Sequence, residues 1–128
     1  MTYAEWLEDY GRAWEERDPE AAAALFTEDA VYRSSPLRPP SLGSDGVRDY
    51  WTQVTADQSG VRFRFGTPIS AGNKMAVEWW TTMRVKGAEV TLPGCFYLRF
   101  APDGRCEELR EYWHYEEGYV EPPEGWGL

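Results

Sequence analysis

The chain has 128 residues, 20 of them aromatic, with 13 basic against 22 acidic side chains and a formal net charge of −9. A chain of that length is ordinarily one domain, which excludes two full catalytic domains. No apolar run approaches the ~20 residues of a membrane span. Met1 to Glu5 lacks the basic and apolar segments of a secretory signal, and strong acidity argues against nucleic acid or anionic lipid as partners.

The charge is uneven. Residues 1–28 carry net −6, residues 29–106 net +3 and residues 107–128 net −6. Acidic ends around a mildly basic middle read as a solvated surface that keeps a small protein soluble. The two cysteines, Cys95 and Cys106, form no CxxC, and on paired strands they fall several pairs out of register, so free thiols and a cytoplasmic location are expected. One histidine and two unclustered cysteines leave a tetrahedral zinc site short of ligands, and neither metal nor cofactor is expected.

In chain order, Thr2 and Glu5 form a capping box. Tyr3, Trp6, Leu7, Tyr10 and Trp14 then recur on one helical stripe. Asp18-Pro19 ends that helix and starts a second, with Asp as N-cap and Pro at the first position, running through Ala21 to Phe26. Ala30 to Ser34 reads as a short strand and Pro36 to Gly43 as a loop. Ser44 or Asp45 caps a third helix with Val47, Tyr50, Trp51 and Val54 on one face.

From residue 61 the period falls to two. Val61, Phe63 and Phe65 alternate with Arg62 and Arg64, and further strands are expected over 74–86, 89–100 and 105–117. Gly72-Asn73, Lys86-Gly87 and Asp103-Gly104 mark the turns. The order is α-α-β-α-β-β-β-β: an α+β plan with helices on one face of a curved antiparallel sheet, able to enclose a cone. Residues 1–120 form the single domain and 121–128 an irregular tail with Trp126 as an anchor.

Trp14 to Pro19, Ala24 to Tyr32, Gly46 to Trp51, and Leu98-Arg99-Phe100 through Gly104 to Leu109-Arg110-Glu111-Tyr112-Trp113-His114 together carry a family likeness. The chain resembles the nuclear transport factor 2-like superfamily, in its SnoaL-like and limonene-epoxide-hydrolase-like branches. The resemblance implies the cone, and a fold that hosts cyclases, isomerases, hydrolases, dehydratases and non-catalytic binders. Of three ketosteroid-isomerase positions, Tyr10 matches the oxyanion tyrosine. Ser34 or Ser35 stands at the base position and Phe96 at the oxyanion acid. The epoxide-hydrolase triad keeps an acid at Glu111, but Trp79 and Thr81 stand nearest to its other two members.

Alternation assigns the faces. Val77, Trp79, Thr81, Met83 and Val85 face inward, as do Phe96, Leu98 and Phe100, and on the last strand Leu109, Glu111, Trp113 and Tyr115. A two-residue Asp103-Gly104 turn keeps Glu111 inside. A three-residue Pro102-Asp103-Gly104 turn with a bulge would instead bring in Arg110, Tyr112 and His114.

The expected pocket is lined by Trp6, Trp14, Tyr32, Trp51, Phe63, Trp79, Thr81, Phe96 and Trp113, with Glu111 and Tyr10 as catalytic candidates. A carboxyl buried among rings has a raised pKa, suited to proton transfer near neutrality. The alternative is that Glu111 pairs with Arg33 or a helix donor. The expected ligand is a small hydrophobic oxygenated molecule, turned over by isomerisation, cyclisation or dehydration, or simply bound by a scaffold. Trp80, Thr82, Arg84, Tyr97, Arg99, Tyr112 and His114 cluster on the sheet back, a composition that suits a homodimer interface.

Overall fold

The computed structural model describes residues 2–128. Helix α1 (Tyr3–Glu15) starts on the expected capping box: the Glu5 N–H donates to Thr2 Oγ1 at 3.1 Å and the Thr2 N–H to Glu5 Oε2 at 3.2 Å. Its stripe of Trp6, Leu7, Tyr10 and Trp14 is buried. Helix α2 (Pro19–Ala23) takes Asp18 as N-cap, with the Ala21 N–H donating to Oδ1 at 3.1 Å.

The expected helical run to Phe26 stops at Ala23, because strand β1 (Phe26–Arg33) begins at Phe26, four residues before the expected start at Ala30. Strand β2 (Ser41–Leu42) is a two-residue pairing inside the proline loop. Helix α3 (Gly43–Thr55) starts ahead of Ser44 and Asp45. Its N-cap is Leu42, without a side-chain cap, and Gly43 at φ +72° makes the corner from β2. A Cβ at Gly43 would lie 2.6 Å from the Glu28 carbonyl oxygen, so no other residue fits that corner unstrained.

The remaining strands are β3 (Gln58–Phe65), β4 (Ile69–Ala71), β5 (Lys74–Val85), β6 (Ala88–Phe100), β7 (Cys106–Trp113) and β8 (Glu116–Glu117). The sheet order is β2-β1-β7-β6-β5-β3, with β4 on the β5 edge and β8 on the β6 edge. The meander is antiparallel as expected, but β1 runs parallel to β7, so the sheet is mixed. Pairing irregularities between Ser59 and Arg62, and between Phe26 and Val31, fall on its outer strands, where they curl it around the helices.

The β6–β7 hairpin resolves the register. Ala101 pairs across to Arg105, so the loop is the three-residue Pro102-Asp103-Gly104. Phe100 then opposes Cys106 while Arg99 opposes Glu108, leaving Glu107 as one extra residue. That bulge restores the register of the shorter turn. Phe96 opposes Glu111 and Leu98 opposes Leu109, so Glu111 faces inward.

β8 continues the β7 register along β6, from Gly94↔Trp113 to Thr91↔Glu116. The interruption lies at Pro93, whose carbonyl accepts from the His114 N–H at 3.0 Å and which has no N–H to return. That missing rung splits the expected strand 105–117 in two.

Helices and inner sheet face enclose one core. Trp6, Tyr10, Phe26, Trp79, Phe96, Met75, Met83, Leu98 and Leu109 are all essentially inaccessible. Each such side chain contributes about 1.5–3 kcal/mol of burial. Gly11 lets α1 approach β3, since a Cβ there would lie 2.6 Å from the Phe63 ring. Gly94 lies under the Trp79 indole, 2.4 Å from where its Cβ would stand.

Residues 121–128 have no strand or helix and lie across the outer sheet face. Trp126 packs edge-on against Trp80 at 5.8 Å, and the Trp80 indole N–H donates to the Val120 carbonyl at 2.9 Å. The Thr67 N–H donates to the Gly127 carbonyl at 2.7 Å. Trp80 is therefore buried by its own chain, which corrects the expectation that it belongs to an open docking face.

Candidate functional site

Between α1, α3 and the inner sheet face lies a cavity of about 210 Å³, open at one end. Its floor is formed by Tyr10 and Trp14 from α1, Tyr32 from β1 and Glu111 from β7. Trp51 and Thr55 of α3 form one wall, and Trp79 and Met83 of β5 the other. Tyr50, Gln58, Leu92, Trp113 and Tyr115 are less deeply buried and surround the opening.

Four expected lining residues lie elsewhere. Trp6 sits deeper, with its indole N–H donating to the Leu25 carbonyl at 3.2 Å. Phe96 stacks beneath Trp79 at 5.2 Å, Phe63 packs against both, and Thr81 is enclosed in the core. Trp6, Phe96 and Thr81 support the cavity from behind, and half-buried Phe63 lines a separate depression against α1. Conversely, Tyr50, Val54, Thr55, Gln58, Met83, Val85, Leu92 and Tyr115 line the cavity beyond the expected set. Tyr50 and Val54 share the α3 stripe with Trp51, and Tyr115 the β7 alternation with Glu111, so those signals were present. Gln58 carried none.

The polar centre is compact. Tyr10 Oη donates to Glu111 Oε1 at 3.1 Å and Tyr32 Oη donates to the same oxygen at 3.0 Å, with the two hydroxyls 3.3 Å apart. Among the described residues no donor reaches Oε2, and no cation lies within 4 Å of the carboxylate. Of the expected alternative, the Arg33 ion pair does not form, whereas the helix donor does, since Tyr10 of α1 holds Oε1.

Burial pushes the Glu111 carboxyl up to about 7, against the opposing effect of the Tyr32 and Tyr10 hydrogen bonds. Burial, and next the Glu111 charge, hold both tyrosines well above their ordinary value, so they remain neutral donors. The same two causes push Tyr50 up to about 12. The group can therefore hold or release one proton near neutrality, with two phenols fixing the carboxyl plane. Among the described residues no cluster of three metal-ligating side chains exists, and no helix is long and apolar enough to cross a membrane.

Comparison with known proteins agrees with this architecture. A family model described as the SnoaL-like domain matches residues 7–109. No curated protein matches the chain by sequence. Among solved structures, a protein with a ketosteroid isomerase-like fold from Catenulispora acidiphila, in complex with trimethylamine, superposes with a TM-score of 0.77 at 20% identity, covering 87% of this chain and 86% of that one. The epoxide hydrolase/cyclase-like enzyme SalBIII, which acts in pyran ring formation in the polyether salinomycin, gives 0.73 at 22%, covering 87% and 89%. An epoxide hydrolase of the limonene-epoxide-hydrolase-like type from Mycobacterium tuberculosis gives 0.72 at 15%, covering 86% and 80%. At these identities the likeness is one of fold.

Proposed function

Since the chain belongs to the SnoaL-like domain family, we propose that it binds a small hydrophobic oxygenated molecule in the aromatic cavity and moves a proton there through Glu111. The reaction is a cofactor-independent isomerisation, cyclisation or dehydration. One observation carries this reading: both tyrosines engage Oε1, leaving Oε2 of a carboxyl that titrates near 7 without a protein partner beside the cavity.

In the acid form, Glu111 gives its Oε2 proton to a substrate oxygen, and as carboxylate it takes a proton from a neighbouring carbon. Tyr10 and Tyr32 act as positioning residues, since their hydroxyls are already spent on Oε1. The other lining side chains exclude water and orient the ligand. A non-catalytic binder or dimeric scaffold of the same fold is the second reading, favoured by the fact that no second acid or base with a pKa near neutrality lines the cavity.

Homodimerisation through the part of the sheet back that the tail leaves open, around Tyr97, Arg99 and Tyr112, belongs to the proposal, as does a cytoplasmic location, which the two free cysteines support. A metabolite screen by native mass spectrometry, followed by assay of Glu111→Gln, tests the function. Turnover is expected to fall at least about 100-fold with the fold retained. Full activity in that variant removes the proton-transfer role.

A further inference from the structure

The cavity is chemically one-sided. Eight of its fifteen lining residues are Trp or Tyr, one is a carboxylate, and none is Lys, Arg or His. Several donors in its walls are already engaged. The Trp14 indole N–H donates to Gln58 Oε1 at 2.8 Å, and the Thr55 hydroxyl donates to the Trp51 carbonyl at 2.6 Å. Tyr10 and Tyr32 are spent on Glu111. The indole nitrogens of Trp51 and Trp79 have no partner and are fully buried, so they offer nothing to a ligand. What the walls present is mainly ring surface and one carboxylate, with the Tyr50 and Tyr115 hydroxyls and the Gln58 amide as the remaining donors.

An anion finds no counter-charge here, and a neutral carbonyl finds few donors. A cation finds ring faces, whose quadrupole attracts positive charge, and a carboxylate at the floor. We propose that the cavity binds the alkylated ammonium head of a small oxygenated molecule, a tertiary or quaternary amine whose N-alkyl groups pack on the rings while Glu111 supplies the counter-charge. This names the ligand class of the site proposed above and rests on that reading. The volume of about 210 Å³ has room for about seven water-sized groups, which suits such a head.

The proposal carries a sign. A bound cation favours ionised Glu111, so binding strengthens as pH rises through about 7 and releases a proton. The titratable groups facing this carboxyl from α1, β1 and α3 are Tyr10, Tyr32 and Tyr50, all held in their neutral form. Arg33 and Arg110 flank a depression on the other side of Glu111, and neither pairs with it. A neutral ligand accepting from the acid form would show the opposite slope.

The test titrates the full chain with choline and with its uncharged carbon isostere, 3,3-dimethylbutan-1-ol, by tryptophan fluorescence and calorimetry at pH 6 and 8. Choline is expected to bind at least about tenfold more tightly than the isostere at pH 8, and about tenfold more weakly at pH 6 than at pH 8. Glu111→Gln is expected to remove that preference while leaving the isostere unchanged, with circular dichroism checking the fold. Trp113→Leu, at the half-exposed mouth, weakens choline binding without touching the core. Equal or tighter binding of the isostere overturns the ammonium class and leaves the cavity reading standing. Binding of neither compound also overturns it, and a parallel titration with cyclohexanone then reads the cavity separately.

Discussion

Two glutamates three residues apart on β7 show what separates the two faces of the sheet. Glu108 faces outward, and both Arg99 and Arg110 reach it, at 2.8 and 3.1 Å. Arg99 also holds Glu107, and Arg110 lies over the Tyr97 ring at 4.8 Å. Glu111 faces inward, meets two phenols and no cation, and is buried. Outside, a carboxylate only 12% exposed is neutralised by two guanidiniums that themselves reach solvent, which screens the pairs in part. Inside, the same group is held by neutral donors, so its proton remains exchangeable. Side-chain alternation, set by one bulge at Glu107, decides which glutamate faces the cavity.

The contrast is open to attack on both sides. The largest expected effect is on stability against pH. With the Glu111 carboxyl raised from 4.5 to about 7 in the folded state, the native protein binds the proton more tightly than the unfolded chain. Its contribution is fully present below 4.5 and is lost as pH rises to about 7, a change of about 3 kcal/mol. Urea denaturation across that range should show the decline, and Glu111→Gln should flatten it. Gly94→Ala should cost about 1–3 kcal/mol, because the added methyl meets the Trp79 ring, and calorimetry checks it. Tyr32→Phe should cost about 1 kcal/mol and raise the Glu111 carboxyl further above 7, since the lost hydrogen bond was opposing the shift. Carboxyl-labelled NMR titration reads that directly. Glu108→Gln, the outer counterpart, should change stability by less than about 1 kcal/mol, with the loss shrinking in high salt.

Much of this was legible in the chain. The Thr2–Glu5 cap, the α1 stripe, the Asp18-Pro19 break and the period-two strands each express a local rule, and the structure follows them. Tyr10, Trp14, Tyr32, Trp51, Trp79, Glu111 and Trp113 reach one cavity because helical and strand periodicity name faces correctly. Other features were set by pairing partners that no local rule reports. β1 extends back to Phe26 because β7 is there to pair with it, despite an alanine run that favours helix. Trp6, Thr81 and Phe96 share the inward face but stand too deep, and half-buried Phe63 lies to one side against α1, since periodicity gives direction and not depth. Tyr32 was named as lining, but its bond to Glu111 depends on the parallel β1–β7 pairing. The covering of Trp80 by the tail had one cue, Trp126, whose target was unreadable.

Pro93 has a consequence for how a ligand reaches the floor. The β6 edge lacks one N–H beside Trp113 and Tyr115, which stand at the cavity opening. Displacing residues 114 and 115 outward therefore breaks one backbone hydrogen bond where an ordinary paired position would lose two. The ladder resumes at Glu116 and Glu117, so such a displacement ends there and does not propagate. Amide exchange should accordingly be faster at Tyr115, and at His114 with its single bond to Pro93, than at Leu109 to Glu111. The threshold of the cone is the yielding part of an otherwise continuous wall.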